Sequence, residues 1–126
     1  MILSTGIDIV AVYRIRKTIA RTPRFVEKVF TADERSYCEG KGVGSWQSFA
    51  GRFAAKEAFL KALKTGWRGR ISWTDIEVVV DDLGAPSLTL AGEAQVLLTE
   101  LGADRMHLSI SHTEEYAFAQ VILEKI

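Results

Sequence analysis

Three groups of residues in this chain are of the right type and spacing to do chemistry. Asp8 stands in an apolar run, with Ile7, Ile9 and Val10 around it. A carboxylate there is costly unless it faces solvent on the alternate side of a strand, finds a cation, or binds a metal. The second group is the stretch Gly51-Arg52-Phe53-Ala54-Ala55-Lys56-Glu57-Ala58-Phe59-Leu60-Lys61. Glu57 and Lys61 are four apart and share a helix face. They read either as a surface ion pair, worth about 0.3–0.5 kcal/mol, or as a carboxylate and an ammonium set around a phosphate and its cation. Mg²⁺ takes oxygen ligands and keeps water and substrate phosphate in its shell, so two protein carboxylates suffice. The third group is Ser109, Ser111 and His112. The serines share parity and lie on one face of a strand, with His112 at its end. A Ser/His pair invites a hydrolase reading, but no G-x-S-x-G elbow accompanies it. His107 is given no role.

The elements that must carry these residues follow from periodicity and punctuation. Residues 2–10 lack a helical period and are rich in β-branched residues, which predicts a strand. Val12, Ile15 and Ile19 set a helix over 12–20, and Pro23 opens a short one reaching Val29. Thr31 and Glu34 have the spacing of a capping box, starting a helix that ends near Gly40. Gly42, Gly44 and Ser45 make a loop. A long helix runs from about Gln47 to Lys64, with Gly66 as its stop. Strands are expected at 76–81 and 87–90 around the turn Asp82-Leu83-Gly84-Ala85-Pro86. A helix over 92–101 ends at Gly102, a strand covers 106–111, His112 to Glu115 turns, and Tyr116 to Glu124 closes the chain as a strand. Helices gather in the first half and hairpins in the second, which is an α+β single domain spanning 1–126.

Length and composition bound the function. The chain has 126 residues, 48% hydrophobic and 25% charged, with no net charge. These are the values of one globular domain. Residues 1–70 hold 14 Lys/Arg against 6 Asp/Glu, whereas residues 71–126 hold 2 against 10. The basic half offers a face to phosphates, nucleic acid or an acidic protein; alternatively the halves neutralise each other within or between subunits. Trp46, Trp67 and Trp73 lie among basic residues, but no RNA- or DNA-binding signature supports nucleic acid. The single Cys38 permits no internal disulfide and no cysteine zinc cluster, which fits a reducing cytoplasm. No signal peptide and no apolar run of membrane-spanning length is seen. A glycine signature for dinucleotides and a GxxxxGK[ST] loop are both missing.

Five segments in order resemble one family. Gly6-Ile7-Asp8-Ile9-Val10, the Arg52-Phe53-Ala54-Ala55-Lys56-Glu57-Ala58 helix with Lys61, Ile76-Glu77, Gly84-x-Pro86, and Ser109-Ile110-Ser111-His112-Thr113 are similar to the blocks of the holo-[acyl-carrier-protein] synthases. These are phosphopantetheinyl transferases of the short bacterial type. The resemblance covers the whole chain. It implies transfer of 4′-phosphopantetheine from coenzyme A to a serine hydroxyl of apo-acyl carrier protein, in fatty acid biosynthesis, releasing adenosine 3′,5′-bisphosphate. It implies Mg²⁺ (Mn²⁺ as a substitute) held by Asp8 and Glu57. Lys61, His112 and Arg52 would contact coenzyme A phosphates, Gly84 and Pro86 the adenine end, and Ser109 the substrate or its supports. Catalysis would rest on Glu57, Lys61 and His112, with Glu57, a water it holds, or water alone as base. Arg14, Arg21 and Arg24 would dock the acidic carrier protein, helped by Trp46, because only Lys41 is cationic in the loop before the long helix. The same resemblance implies a homotrimer with sites at subunit boundaries, in the cytoplasm, with neither nucleic acid nor membrane as partner. A carrier-binding module without catalysis and an Mg²⁺-dependent phosphohydrolase are the rival classes.

Overall fold

The computed structural model describes residues 1–64 and 70–126; Gly66 and Trp67 lie outside the described residues. Strand β1 spans Ile2–Ala11, and helices α1 (Val12–Arg21), α2 (Arg24–Val29), α3 (Ala32–Glu39) and α4 (Ser45–Leu63) follow it. A β2–β3 hairpin (Ile76–Val80, Pro86–Leu90), helix α5 (Gly92–Leu101), and strands β4 (Arg105–His112) and β5 (Tyr116–Glu124) complete the fold. The expected α+β order is found. Several boundaries shift by a residue or two. Gly42–Gly44 is a single 3₁₀ turn, Ser45 opens α4 instead of belonging to the loop, and Lys64 caps α4 in the left-handed region. His112 is the last residue of β4 rather than the first of a turn.

The main sheet is antiparallel with order β1-β5-β4, and the hairpin forms a second sheet. Alternation places Ala117, Ala119, Val121 and Leu123 of β5 on the buried face. Helix α4 covers that face with Ala54, Ala55, Ala58, Phe59 and Ala62, all fully buried. Alanines let the helix axis come close to the strands. At Gly6 the approach is so close that a Cβ would sit 2.0 Å from the Ala58 carbonyl oxygen. Ser4 on the same face donates its hydroxyl to the carbonyl of Ala62. Thus β1 and α4 are locked together in the residues just before Asp8.

A second apolar cluster joins α1, α2, α3 and the start of α4 through Ile15, Val29, Phe30, Cys38 and Phe49. Between the two clusters lies a charged pair. Lys56 and Glu34 have fully buried side chains and meet at 2.8 Å. The Lys56 ammonium also donates to the carbonyls of Val29 (2.8 Å) and Trp73 (3.1 Å). Glu34 accepts from the backbone N–H groups of Thr31 and Val78, both at 2.9 Å. The expected capping box is present, and its glutamate additionally ties α3 to α4 and β2.

Candidate active site

Asp8 faces α4, and its cross-strand row is Asp8, Ala119, Ile110; the next row is Val10, Ala117, His112. Asp8 and His112 therefore point to the same side of the sheet but from its two outer strands and from adjacent rows, about 12 Å apart by strand spacing and rise, with α4 between them. The helix divides the neighbourhood into two concavities.

The first, about 390 Å³, is lined by Asp8, Arg14, Thr18, Phe25, Phe53, Glu57 and Lys61 among others. Phe53, Glu57 and Lys61 follow at four-residue intervals on one side of α4. Lys61 does not pair with Glu57, as the spacing had suggested. Its ammonium reaches across to Asp8 Oδ1 at 2.8 Å and to the carbonyl of Ile7 at 3.1 Å. Glu57 has no ion pair among the described residues. Burial raises its carboxyl above the ordinary range, the negative charge of Asp8 raises it further, and Lys61 opposes both. Two carboxylates that repel each other in a half-buried concavity are a donor set suited to a hard cation. Among the described residues no three His, Cys, Asp or Glu side chains converge. A cation here would take Asp8 and Glu57 and fill its shell with water and phosphate oxygens.

The second concavity, about 320 Å³, lies on roughly the opposite side of α4. Its lining includes Tyr37, Lys41, Gln47, Ser48, Arg52, Gly84, Pro86 and His112. No carboxylate lines it, whereas Lys41, Arg52 and His112 do. Arg52 is only 5% exposed. Its Nη1 donates to Ser48 Oγ at 3.1 Å, and its guanidinium lies 4.1 Å from the centre of the Tyr37 ring. The positive φ of Gly84, 83°, suits the hairpin turn, which Asp81 Oδ1 braces by accepting from Leu83 and Ala85.

Ser109 belongs to neither. It stands on the outer face of the sheet, in one row with Gln120 and Ile7, beside Ser111 and Phe118. Arg14, Arg21 and Arg24 are exposed, and Arg14 stands at the first concavity. Trp46 packs on Phe49 and under the Arg16 guanidinium, and Trp73 packs on Phe53. Both tryptophans thus have core partners. His107 pairs with Glu124 at 2.9 Å on the outer face.

Sequence reasoning missed two features here. The sequence marks Tyr37 only by its place in the helix that Thr31 opens, and gives Lys56 no role beyond the charged helix segment. The lack of any neighbouring acid at i±3 or i±4 to Lys56 was the one local sign that its partner is distant.

A family model for the 4′-phosphopantetheinyl transferase superfamily matches residues 4–121, and the chain belongs to that superfamily. Within it the chain is an enzyme of the holo-[acyl-carrier-protein] synthase kind. It is 49% identical to the holo-[acyl-carrier-protein] synthase of Koribacter versatilis, covering 98% of this chain and 99% of that one. Among solved structures it resembles the holo-(acyl-carrier-protein) synthase of Bacillus anthracis in complex with CoA (3′,5′-ADP), at 42% identity and TM-score 0.82, covering 100% and 99% of the two chains. It also resembles that of Neisseria meningitidis, at 36% identity and TM-score 0.89, covering 99% and 100%.

Proposed function

We propose that this chain transfers 4′-phosphopantetheine from coenzyme A to a serine of apo-acyl carrier protein, releasing adenosine 3′,5′-bisphosphate, with Asp8 and Glu57 holding Mg²⁺. The observation that carries this is the first concavity, where two mutually repelling carboxylates face a lysine and a basic rim. When bound, the cation would neutralise and polarise the pyrophosphate. Lys61 is paired with Asp8, and with Asp8 engaged on a cation its ammonium would be free to meet a phosphate oxygen. Arg52 and His112 offset charge on the leaving bisphosphate, and the Gly84–Pro86 turn borders the adenine end. The attacking hydroxyl comes from the carrier, so Ser109 and Ser111 need not act as nucleophiles. Glu57, a water it holds, or water alone takes the hydroxyl proton; the raised proton affinity of the Glu57 carboxylate belongs to the metal-free site.

The carboxylate and cationic concavities stand back to back on α4, so one donor molecule is served best when neighbouring subunits each contribute one of them. Support comes from the outer sheet face, which exposes Ile7, Ile9, Tyr116 and Phe118 at 64%, 56%, 43% and 37%. The accessible surface is 7378 Å², against about 6,700 Å² expected for a 14 kDa monomer. We infer a homotrimer closed through that face, with Ser109 at the boundary. Arg14 and Arg21, seven apart on α1, and Arg24 on α2 form the rim that receives the acidic carrier. Among the described residues no helix is long and apolar enough to cross a membrane. By its likeness to the bacterial synthases, we infer a cytoplasmic enzyme of fatty acid biosynthesis.

The test is to incubate the protein with apo-carrier protein, coenzyme A and Mg²⁺ and weigh the carrier. A gain of one phosphopantetheine moiety, abolished by chelation, is expected. No gain where a known synthase works refutes the assignment. Mass in solution tests the trimer.

A further inference from the structure

Tyr37 has no place in the reaction described above, yet two cations of the second concavity meet on it. The Arg52 guanidinium is 4.1 Å from its ring centre and the Lys41 ammonium 4.5 Å. Neither cation has a carboxylate partner among the described residues. This matters because a carboxylate would hold a cation and also cancel its charge. An aromatic face holds it by the ring quadrupole and leaves the charge available. Arg52 is fixed on its other side by Ser48, whose hydroxyl in turn donates to the buried sulfur of Cys38 at 3.2 Å. Tyr37 and Cys38 both lie on α3. The face of α3 that packs on α4 thus supports Arg52 from two points.

We propose that Tyr37 is a positioning residue for the donor. Its ring sets Lys41 and Arg52 together as an anion seat beside His112 and the Gly84–Pro86 turn, so that the second concavity selects a dianionic phosphate monoester. This rests on the assignment of coenzyme A as donor. The monoester is then the phosphate on the adenosine ribose, because the pyrophosphate belongs with the carboxylates of the first concavity.

The experiment compares coenzyme A with its analogue lacking that phosphate, dephospho-coenzyme A, as donors to apo-carrier protein. Tyr37→Leu is expected to raise the KM for coenzyme A about ten-fold, leave kcat and the KM for dephospho-coenzyme A within two-fold, and so erode the preference between donors. Tyr37→Phe keeps the ring and should restore the native KM. Equal KM increases for both donors, or equal losses in the Phe and Leu variants, would show mere packing and overturn the proposal. Should Tyr37→Leu fail to fold, the exposed Lys41→Met decides. It must raise the KM for coenzyme A alone, and an unchanged KM overturns the proposal. If the wild-type chain transfers nothing from either donor, the functional assignment fails instead.

Discussion

Replacing Lys56 by Met gives the most demanding test of how this fold is held together. The ammonium is fully buried and makes three donations, to Glu34, Val29 and Trp73. Burial lowers the lysine's proton affinity, and the charge of Glu34 opposes that. Methionine has nearly the same length and leaves little void. What it leaves instead is the Glu34 carboxylate at 1% exposure with two backbone donors and no counter-charge. Removing one partner of such a pair costs about 3–5 kcal/mol. For a chain of this length, about 4 °C of Tm corresponds to 1 kcal/mol, so Tm should fall by about 12–20 °C. Measurements must share one protein concentration, because assembly adds to apparent stability. The double variant Glu34→Gln/Lys56→Met removes both charges and should recover most of the loss. A single-variant loss under about 1 kcal/mol, or a double variant no more stable than the single, would refute the account in which an uncompensated charge dominates.

Other perturbations address the site. Gly6→Ala drives a methyl into the Ala58 carbonyl; it should cost about 3 kcal/mol as overpacking in urea unfolding and weaken Mg²⁺-dependent activity by moving Asp8 away from α4. Glu57→Gln removes a carboxylate whose proton affinity is raised in the fold. Because a raised carboxyl binds its proton more tightly folded than unfolded, stability falls as pH rises through the shifted range. With metal chelated, the variant should therefore melt higher than wild type at neutral pH and lose that advantage below the ordinary carboxylate range, while transferring nothing when Mg²⁺ is restored; a lower Tm at pH 7 in chelator would contradict this. In the metal-free protein the Glu57 carboxyl should titrate above the ordinary glutamate range, as carboxyl-carbon NMR would read, and adding Mg²⁺ should lower it. Arg14→Ala should raise the KM for carrier protein more than that for coenzyme A, with a weaker salt dependence of kcat/KM; the opposite ranking would exclude a docking role.

Much of this protein can be read locally. The capping box at Thr31 and Glu34 depends on residues three apart, the helix and strand periods on neighbours, and the hairpin on its turn residues. Each is set by interactions within one or two turns of chain, and all of these elements recur in the fold. The residue types of the site were legible as well, since a carboxylate in an apolar strand and a charged cluster on an alanine-rich helix are costly without a reason. Partners were not. Lys61 pairs with Asp8, fifty-three positions away, rather than with Glu57 on its own face. Lys56 finds Glu34, and Glu34 finds Val78, across separate elements. Tyr37 meets Arg52 only because α3 packs on α4, whereas Lys41 is its neighbour four residues along the chain.

By itself, then, the sequence determined which elements form, which family the chain resembles, and which residues are dear enough to be functional. Only the tertiary structure decided that Asp8, Glu57 and Lys61 meet on one side of α4 while Arg52, Gly84, Pro86 and His112 meet on the other. The reason is geometric. Asp8 and His112 have the same sheet parity, but they sit on the two outer strands, and the helix packs along the strand between them. Periodicity along the chain reports which face a residue occupies; how far apart two such residues lie across that face depends on strand order, which no local interaction encodes.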